Sequence, residues 1–424
     1  MMASINYPTR TAARYTKTTH EGAPAKRITP AQELERTVMA CLLWEDQFYE
    51  SGVSIAERIK DLVERVEPIV VSDLAVKARH QMYLRHVPLL LIRELARRES
   101  DGLVKAALPA VIQRADELTE FLAIYWQKGK QPLSSQVKKG LAKAFQRFDA
   151  YQLAKYDRPG AVRLRDVLFL CHAQPKDEEQ AAIWKQLIDG TLPTPDTWET
   201  TLSASGGEDK QAHWTRLLTE NKLGGLALLR NLRNMGEAKV SQSLVRKALT
   251  DSTFKRVLPF RFVAAARYAP VYEPELEAGM FKVCADLPKL PGTTAILVDT
   301  SGSMQAQLSE RSQMTRADAA AALAMIVREI CDSVDVIAFA STAERIAPRR
   351  GFGLYDAINK PNIGYATNME DGKRLADEQP YDRIIIVSDE QSRQALSGPK
   401  NGKPGYMLNV ASYKNGIGYG PWTH

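Results

Sequence analysis

Cysteine is scarce in this chain. Its four residues, Cys41, Cys171, Cys284 and Cys331, are scattered and include no Cys-x-x-Cys pair. That spacing excludes a thiolate zinc site and offers no disulfide framework, and it suits a reducing compartment. Long apolar runs are also missing: a stretch such as VPLLLI (Val87–Ile92) is far too short to span a bilayer. The first 30 residues hold Arg, Lys and Pro but no apolar core of a secretory signal. These absences predict a soluble cytoplasmic protein with no membrane partner. Common enzyme signatures are lacking too. There is no Walker A loop, no Rossmann glycine fingerprint, no Gly-x-Ser-x-Gly and no His-Glu-x-x-His.

What is present is an ordinary globular composition, 44% hydrophobic and 25% charged, over 424 residues. That length predicts two or three domains. The net charge of +7 is unevenly placed. From Pro291 to the end there are 14 Lys+Arg against 15 Asp+Glu; of the chain's 57 and 50, this leaves 43 and 35 in the first 290 residues. A basic lobe joined to a neutral one points to a polyanion for the former.

Residues 1–29 are polar, with Thr and Pro, and predict a loosely held arm. Residues 30–286 read as helical throughout. Apolar residues recur at three- and four-residue spacing in segments such as VSIAERIKDLVERV and GLALLRNLRNM, with Pro68, Pro88, Pro132 and Pro159-Gly160 between segments. Short paired helices over this length predict a HEAT-like α-solenoid, although no strict sequence period is visible.

The texture changes in residues 287–424. PKLPG reads as a linker, and TTAILVDT as a short apolar strand. MTRADAAAALAMIVREICDS reads as a helix whose capping box is Thr315 with Asp318, and VDVIAFAS, YDRIIIVS and YMLNVASY as further strands. Continuous apolar strands alternating with helices predict a doubly wound parallel α/β sheet, covered on both faces.

In such a sheet, ligands bind at the carboxyl ends of the strands. Asp299-Thr300-Ser301-Gly302-Ser303 stands there after the first strand, and Asp389 ends YDRIIIVS; Thr367 comes from the loop GYATNM. A lone Asp-x-Ser-x-Ser is often only a turn that satisfies its own backbone. Set between a strand and a capped helix, with a second carboxylate at another strand end, it reads as a seat for one hard cation. All-oxygen donors with few carboxylates suit Mg²⁺ and disfavour zinc. The pattern resembles the metal-ion-dependent adhesion site of von Willebrand factor A domains. That resemblance assigns the ligand roles to Asp299, Ser301, Ser303, Thr367 and Asp389, and implies binding, not hydrolysis. Domains of this type continue into a final helix. Here YMLNVASY is followed only by a short segment to His424, so the expectation is either truncation or cover of that face by another element.

With its two halves in this order, the sequence resembles the Ro autoantigen family, whose TROVE module is a ring of helical repeats closed by a von Willebrand A domain. The blocks that carry the resemblance are LLWEDQFYESG (42–52), KKGLAKAFQRFDAYQLAKY (138–156), LRDVLFLCHAQPK (164–176), LALLRNLRNM (226–235), LPFRFVAAARY (258–268) and SDEQS (388–392). The resemblance implies binding of small structured non-coding RNAs (Y RNAs) on the outer face and of single-stranded 3′ ends of misfolded RNA in the hole. It also implies an RNA-processing enzyme tethered through the RNA, and a monomer.

Lys155, Arg158, Arg163, Arg165, His172 and Lys176 are candidate phosphate contacts, clustered within 22 residues. His172 matches the family's RNA-contacting histidine, although LFLCHA is apolar and a core histidine bonded to a carbonyl is the alternative. Arg230 and Arg233 either grip single-stranded backbone or bridge neighbouring helices. Arg79, His80, Arg85 and His86 around Tyr83 read as a solvated face or a stacking site, and Arg349 and Arg350 as surface charge.

A single all-oxygen site with no general base makes a nuclease the weakest reading. The expected function is non-enzymatic RNA binding. The alternative is a scaffold whose A domain captures an acidic partner peptide through Mg²⁺.

Overall fold

The computed structural model describes residues 17–193 and 210–424, except for residues 40, 42, 44, 48, 99, 101, 256 and 311. Residues 1–16 of the expected arm, and Leu42, Trp44 and Phe48 of the LLWEDQFYESG block, lie outside the described residues.

Helix α1 (Pro30–Met39) is joined through residues 40–51 to α2 (Gly52–Arg65), and α3 (Pro68–His80), α4 (His86–Leu95), α5 (Leu103–Val111) and α6 (Asp116–Tyr125) follow through shorter connections. α7 (Ser135–Phe145), α8 (Ala150–Tyr156), α9 (Leu164–Cys171) and α10 (Glu178–Asp189) continue the array. α2 shows why the segments fold as they do. Ser51 caps its start by accepting from Ser54 N, and Ile55, Ile59, Leu62 and Val63 form one buried stripe at helical spacing. The next helix begins at Pro68, where a missing N–H costs nothing.

Alternate helices stack. α3, α5, α7 and α9 form one row, and α2, α4 and α6 the other, so the solenoid expected from the sequence is observed. At one step the fit is tight: a Cβ on Gly140 of α7 would lie 3.0 Å from Leu108 Cβ of α5, closer than most side chains pack. One continuous apolar core runs through this half, from Leu34 to Leu187.

Beyond residue 209 come α11 (Lys210–Thr219), α12 (Gly225–Glu237), α13 (Gln242–Asp251), α14 (Phe260–Tyr268) and α15 (Glu273–Ala285). The same alternate stacking holds, and α14 and α15 then pack on α16 (Arg316–Ile330), which belongs to the sheet domain. Trp214, Phe262 and Leu276 therefore share one core with Ile296, Val298 and Val387.

The sheet has five strands: β1 (Leu290–Asp299), β2 (Cys331–Phe339), β3 (Ala343–Arg345), β4 (Arg383–Ser388) and β5 (Gly405–Asn409), in spatial order β3-β2-β1-β4-β5. All pairings are parallel except the antiparallel edge strand β3. Two sequence expectations need adjustment. The segment read as a linker already contributes Leu290–Gly292 to β1, with a register irregularity before Thr293. β3, only three residues long, carries no periodic signal and was missed.

α16 and α17 (Gly351–Asn359) cover one face of the sheet, and α18 (Met369–Asp377) part of the other. The rest of that second face carries no terminal helix. Ala23, Ile417 and Trp422 pack there, and Thr423 pairs with the edge of β5 through Met407 N–H to Thr423 O at 2.8 Å and Thr423 N–H to Gly405 O at 2.8 Å. The described part of the expected arm is held down as well. Thr19 Oγ1 donates to Ser392 O at 2.8 Å, and Lys26 N to Gly416 O at 3.0 Å. The sheet domain thus touches both α1 and the last helices of the array. Among the described residues, no helix is long and apolar enough to cross a membrane.

Candidate metal centre and nucleic-acid interface

The strand ends bring Asp299, Ser301, Ser303 and Asp389 together, and the loop bearing Thr367 lies alongside. Asp299 closes β1, Asp389 follows β4, and the loop from β1 turns back through Ser301 and Ser303. Gly302 N–H bonds Tyr365 O at 2.9 Å, tying that loop to the one bearing Thr367. Ser301 N donates to Asp299 Oδ1 at 2.9 Å, Ser388 Oγ donates to Asp299 Oδ2 at 2.5 Å, and the Ser301 and Ser303 hydroxyls are 3.5 Å apart. All five residues are buried.

Two buried carboxylates of like charge stand close together here. Burial pushes the Asp299 carboxyl up to about 7, helped by the charge of Asp389, and burial likewise raises Asp389. Asp389 Oδ2 is buried and accepts no hydrogen bond. Two buried carboxylates, one with an oxygen that accepts no hydrogen bond, beside two serine hydroxyls fit a small hard cation. Among the described residues no cluster of three or more His, Cys, Asp or Glu supplies a second centre.

The sequence reading missed what lies over this site. Arg316, the first residue of α16, is buried, with Nη1 3.7 Å from Asp389 Oδ2, 2.6 Å from Tyr413 Oη and 3.4 Å from Ser303 O. Its Nη2 donates to Gln47 Oε1 from the α1–α2 connection. Tyr49 of the same connection packs edge-on against Tyr413, with ring centroids 5.3 Å apart, and His20 stacks on Tyr49 at 4.6 Å. A segment of the helical array and a turn of the arm therefore form a roof beside the cation seat. Next to it Arg36 of α1 is salt-bridged to Glu390, which also bonds His424. Burial alone would raise Glu390, but Arg36 and His424 outweigh it and hold the carboxyl down at about 2. An arginine at the start of a helix looks like surface charge in a sequence; only the return of the array onto the sheet reveals it as buried.

The candidate RNA contacts divide. Arg158, Arg165, His172 and Lys176 are exposed, and Lys155 is half-buried, with Nζ 5.7 Å from the Tyr156 ring. Arg158, Arg165 and His172 have no acidic partner among the described residues; Lys176 has a loose contact with Asp177 at 3.9 Å. His172 is the C-cap of α9 with φ 53°, its side chain on the surface, so the alternative of a core histidine is overturned. Arg163 differs from the rest: it is half-buried, and its Nη2 donates to Asp157 Oδ2 at 2.5 Å, which makes it an intramolecular ion pair.

Arg230 and Arg233 are both exposed on α12. Arg230 lies close enough to Arg261 of α14 to lower that guanidinium's pKa, although burial is the larger cause. Arg233 sits 3.3 Å from Glu237, one turn along the same helix, and over the Tyr268 ring.

The cluster around Tyr83 is partly structural. Arg79 and Arg85 both reach Glu117, and Arg85 also reaches Glu120, while Tyr83 stays exposed. Arg350 is paired with Glu329.

Fold and site together define the class: a helical-repeat array whose ends meet on an A-type α/β domain with a strand-end oxygen site. The family model described as TROVE domain matches residues 179–268. The crystal structure of the Ro (RSR) protein of Deinococcus radiodurans is similar, with a TM-score of 0.60 and 18% identity over 89% of this chain and 92% of that one. At that identity the likeness concerns fold alone. No curated protein matches the chain. The TROVE match is confined to residues 179–268 of the helical array, and the solved structure shares the architecture of array and sheet domain.

Proposed function

We propose that this chain is a non-enzymatic RNA-binding protein that takes small structured non-coding RNAs resembling Y RNAs, and single-stranded 3′ ends of misfolded RNA, in RNA stability or quality control. The observation that carries this reading is the cationic surface around α9. Arg158, Arg165 and His172 stand exposed without acidic partners among the described residues, in the first 290 residues, which hold the whole positive excess. Unpaired arginines at a surface are available to phosphates, and their affinity should fall steeply with salt. Lys155, Lys176, Arg230 and Arg233 extend the contact; Arg163 serves the fold. An RNA-processing enzyme would be recruited through the bound RNA. Electrophoretic mobility shift with a hairpin RNA bearing a 3′ single-stranded tail tests the reading, and absence of binding at low salt removes it.

We also infer that Asp299, Ser301, Ser303, Thr367 and Asp389 hold one Mg²⁺. The buried Asp389 Oδ2, which accepts no hydrogen bond and has Arg316 Nη1 no nearer than 3.7 Å, supports this. The roof of Arg316, Gln47 and Tyr49 argues against capture of an acidic peptide at that ion, because the approach is filled by the chain itself. In this reading the cation neutralises two buried carboxylates at the junction of sheet and array.

A further inference from the structure

We propose that Phe169 is a base-stacking platform for single-stranded RNA, which rests on the RNA-binding reading above. Phe169 lies on α9, whose inward face is already complete: Leu164, Val167, Leu168 and Cys171 are buried, whereas Phe169 is 57% exposed. Exposure on that scale gives up much of the roughly 1.5–3 kcal/mol that burial of a phenylalanine contributes, so packing does not explain the residue.

The neighbours of the ring do. Arg165 stands one turn before it and His172 three residues after it, all three exposed. His172 holds a left-handed backbone conformation, φ 53°, at a C-cap where glycine is the low-strain choice. The result is an exposed guanidinium and an exposed aromatic ring one turn apart on a helix, with an exposed imidazole at its C-cap. A nucleotide matches that arrangement: its base stacks on the ring while its phosphates meet the cationic groups. In a duplex the base faces are already stacked on one another, so the strand that uses Phe169 is single. Phe169 carries no charge, and its contribution is therefore separable from that of the arginines.

The test is fluorescence anisotropy on the full chain with two labelled RNAs, one a blunt hairpin and the other the same hairpin with a 3′ single-stranded tail. Phe169→Ala should weaken the tailed RNA roughly tenfold, within the range seen when one stacked base is lost. It should leave the blunt hairpin, the salt slope and the melting temperature unchanged. Phe169→Trp should retain the affinity, and Phe169→Leu should behave like the alanine variant. The platform is overturned if Phe169→Ala binds the tailed RNA within twofold of wild type, if it loses both RNAs equally, or if leucine serves as well as phenylalanine. Failure of the wild-type chain to bind either RNA overturns the RNA reading itself and the platform with it. Wild-type binding beside an indifferent Phe169→Ala overturns the platform alone.

Discussion

Arg36 on the first helix of the array and Glu390 on the loop after β4 form an ion pair from which water is excluded on both sides. They are separated by 354 positions in sequence. Arg36 Nε also donates to Tyr413 O at 2.8 Å, and Glu390 Oε2 accepts from Gly418 N at 2.7 Å, so neither charge depends on its partner alone. Breaking a buried pair from one side leaves an uncompensated charge. Arg36→Ala is accordingly expected to destabilise the protein by about 3–5 kcal/mol, read from urea denaturation. Arg36→Met with Glu390→Gln should recover a large part of that loss. A single variant within about 0.5 kcal/mol of wild type would show that the junction does not rest on this pair.

The opposite end of the array has its own pair. Arg267 of α14 donates to Asp318 of α16, and Tyr355 of α17 donates to the other Asp318 oxygen. Burial raises the Asp318 carboxyl, but the bonds from Arg267 and Tyr355 outweigh it, so its pKa lies below the ordinary carboxylate value. A depressed carboxyl contributes stability that is fully present above its unfolded pKa and is lost as pH falls through the folded one. Wild-type denaturation midpoints should therefore fall on acidification below the ordinary carboxylate range. Asp318→Asn should be less stable at neutral pH and show a shallower acid dependence there. Equal acid dependence in the two proteins would count against the pair.

Much of this architecture was legible because it is local. The β-branched run TAILV, the Thr315–Asp318 capping box and the Asp299-x-Ser-x-Ser spacing each announce themselves within a few residues, and the structure reproduces the elements they predict. The stripe of Ile55, Ile59, Leu62 and Val63 did the same for α2. What stayed hidden depends on distant pairing. Gln47 meets Arg316 across 269 positions, and Arg58 reaches Ser412 O across 354. Arg163 looked like its neighbours Arg158 and Arg165 because sequence spacing does not show which guanidinium finds an aspartate. Asp157 takes Arg163 and leaves the others exposed.

Loading the proposed cation seat should stabilise the fold, since the ion binds the native arrangement and not the unfolded chain. Mg²⁺ at about 100 times its dissociation constant is expected to add about 2.7 kcal/mol, seen as a rise in melting temperature that excess EDTA reverses. Asp389→Ala should abolish the response to Mg²⁺. A Mg²⁺ response that survives in Asp389→Ala and in Asp299→Ala would place the ion elsewhere.

The arginines near α9 should separate by role. Arg158→Glu with Arg165→Glu is expected to weaken RNA at least tenfold while leaving the melting temperature unchanged, because both side chains are exposed with no acidic partner among the described residues. Arg163→Ala should do the reverse, lowering stability by roughly 1 kcal/mol with little effect on RNA, through loss of the Asp157 pair. Filter binding and thermal melts on the same preparations decide it. RNA affinity that follows Arg163 and ignores the exposed pair would invert the assignment.

The most direct test is a salt titration of the wild-type chain against a hairpin RNA with a 3′ single-stranded tail. If phosphates settle on this basic array, log K should fall linearly with log salt, at about 0.7 per single-strand phosphate contacted. The exposed residues predict several such contacts, and the isolated neutral charge balance of the sheet domain predicts none from that side. No retained RNA at low salt, or an affinity indifferent to salt, would contradict the account.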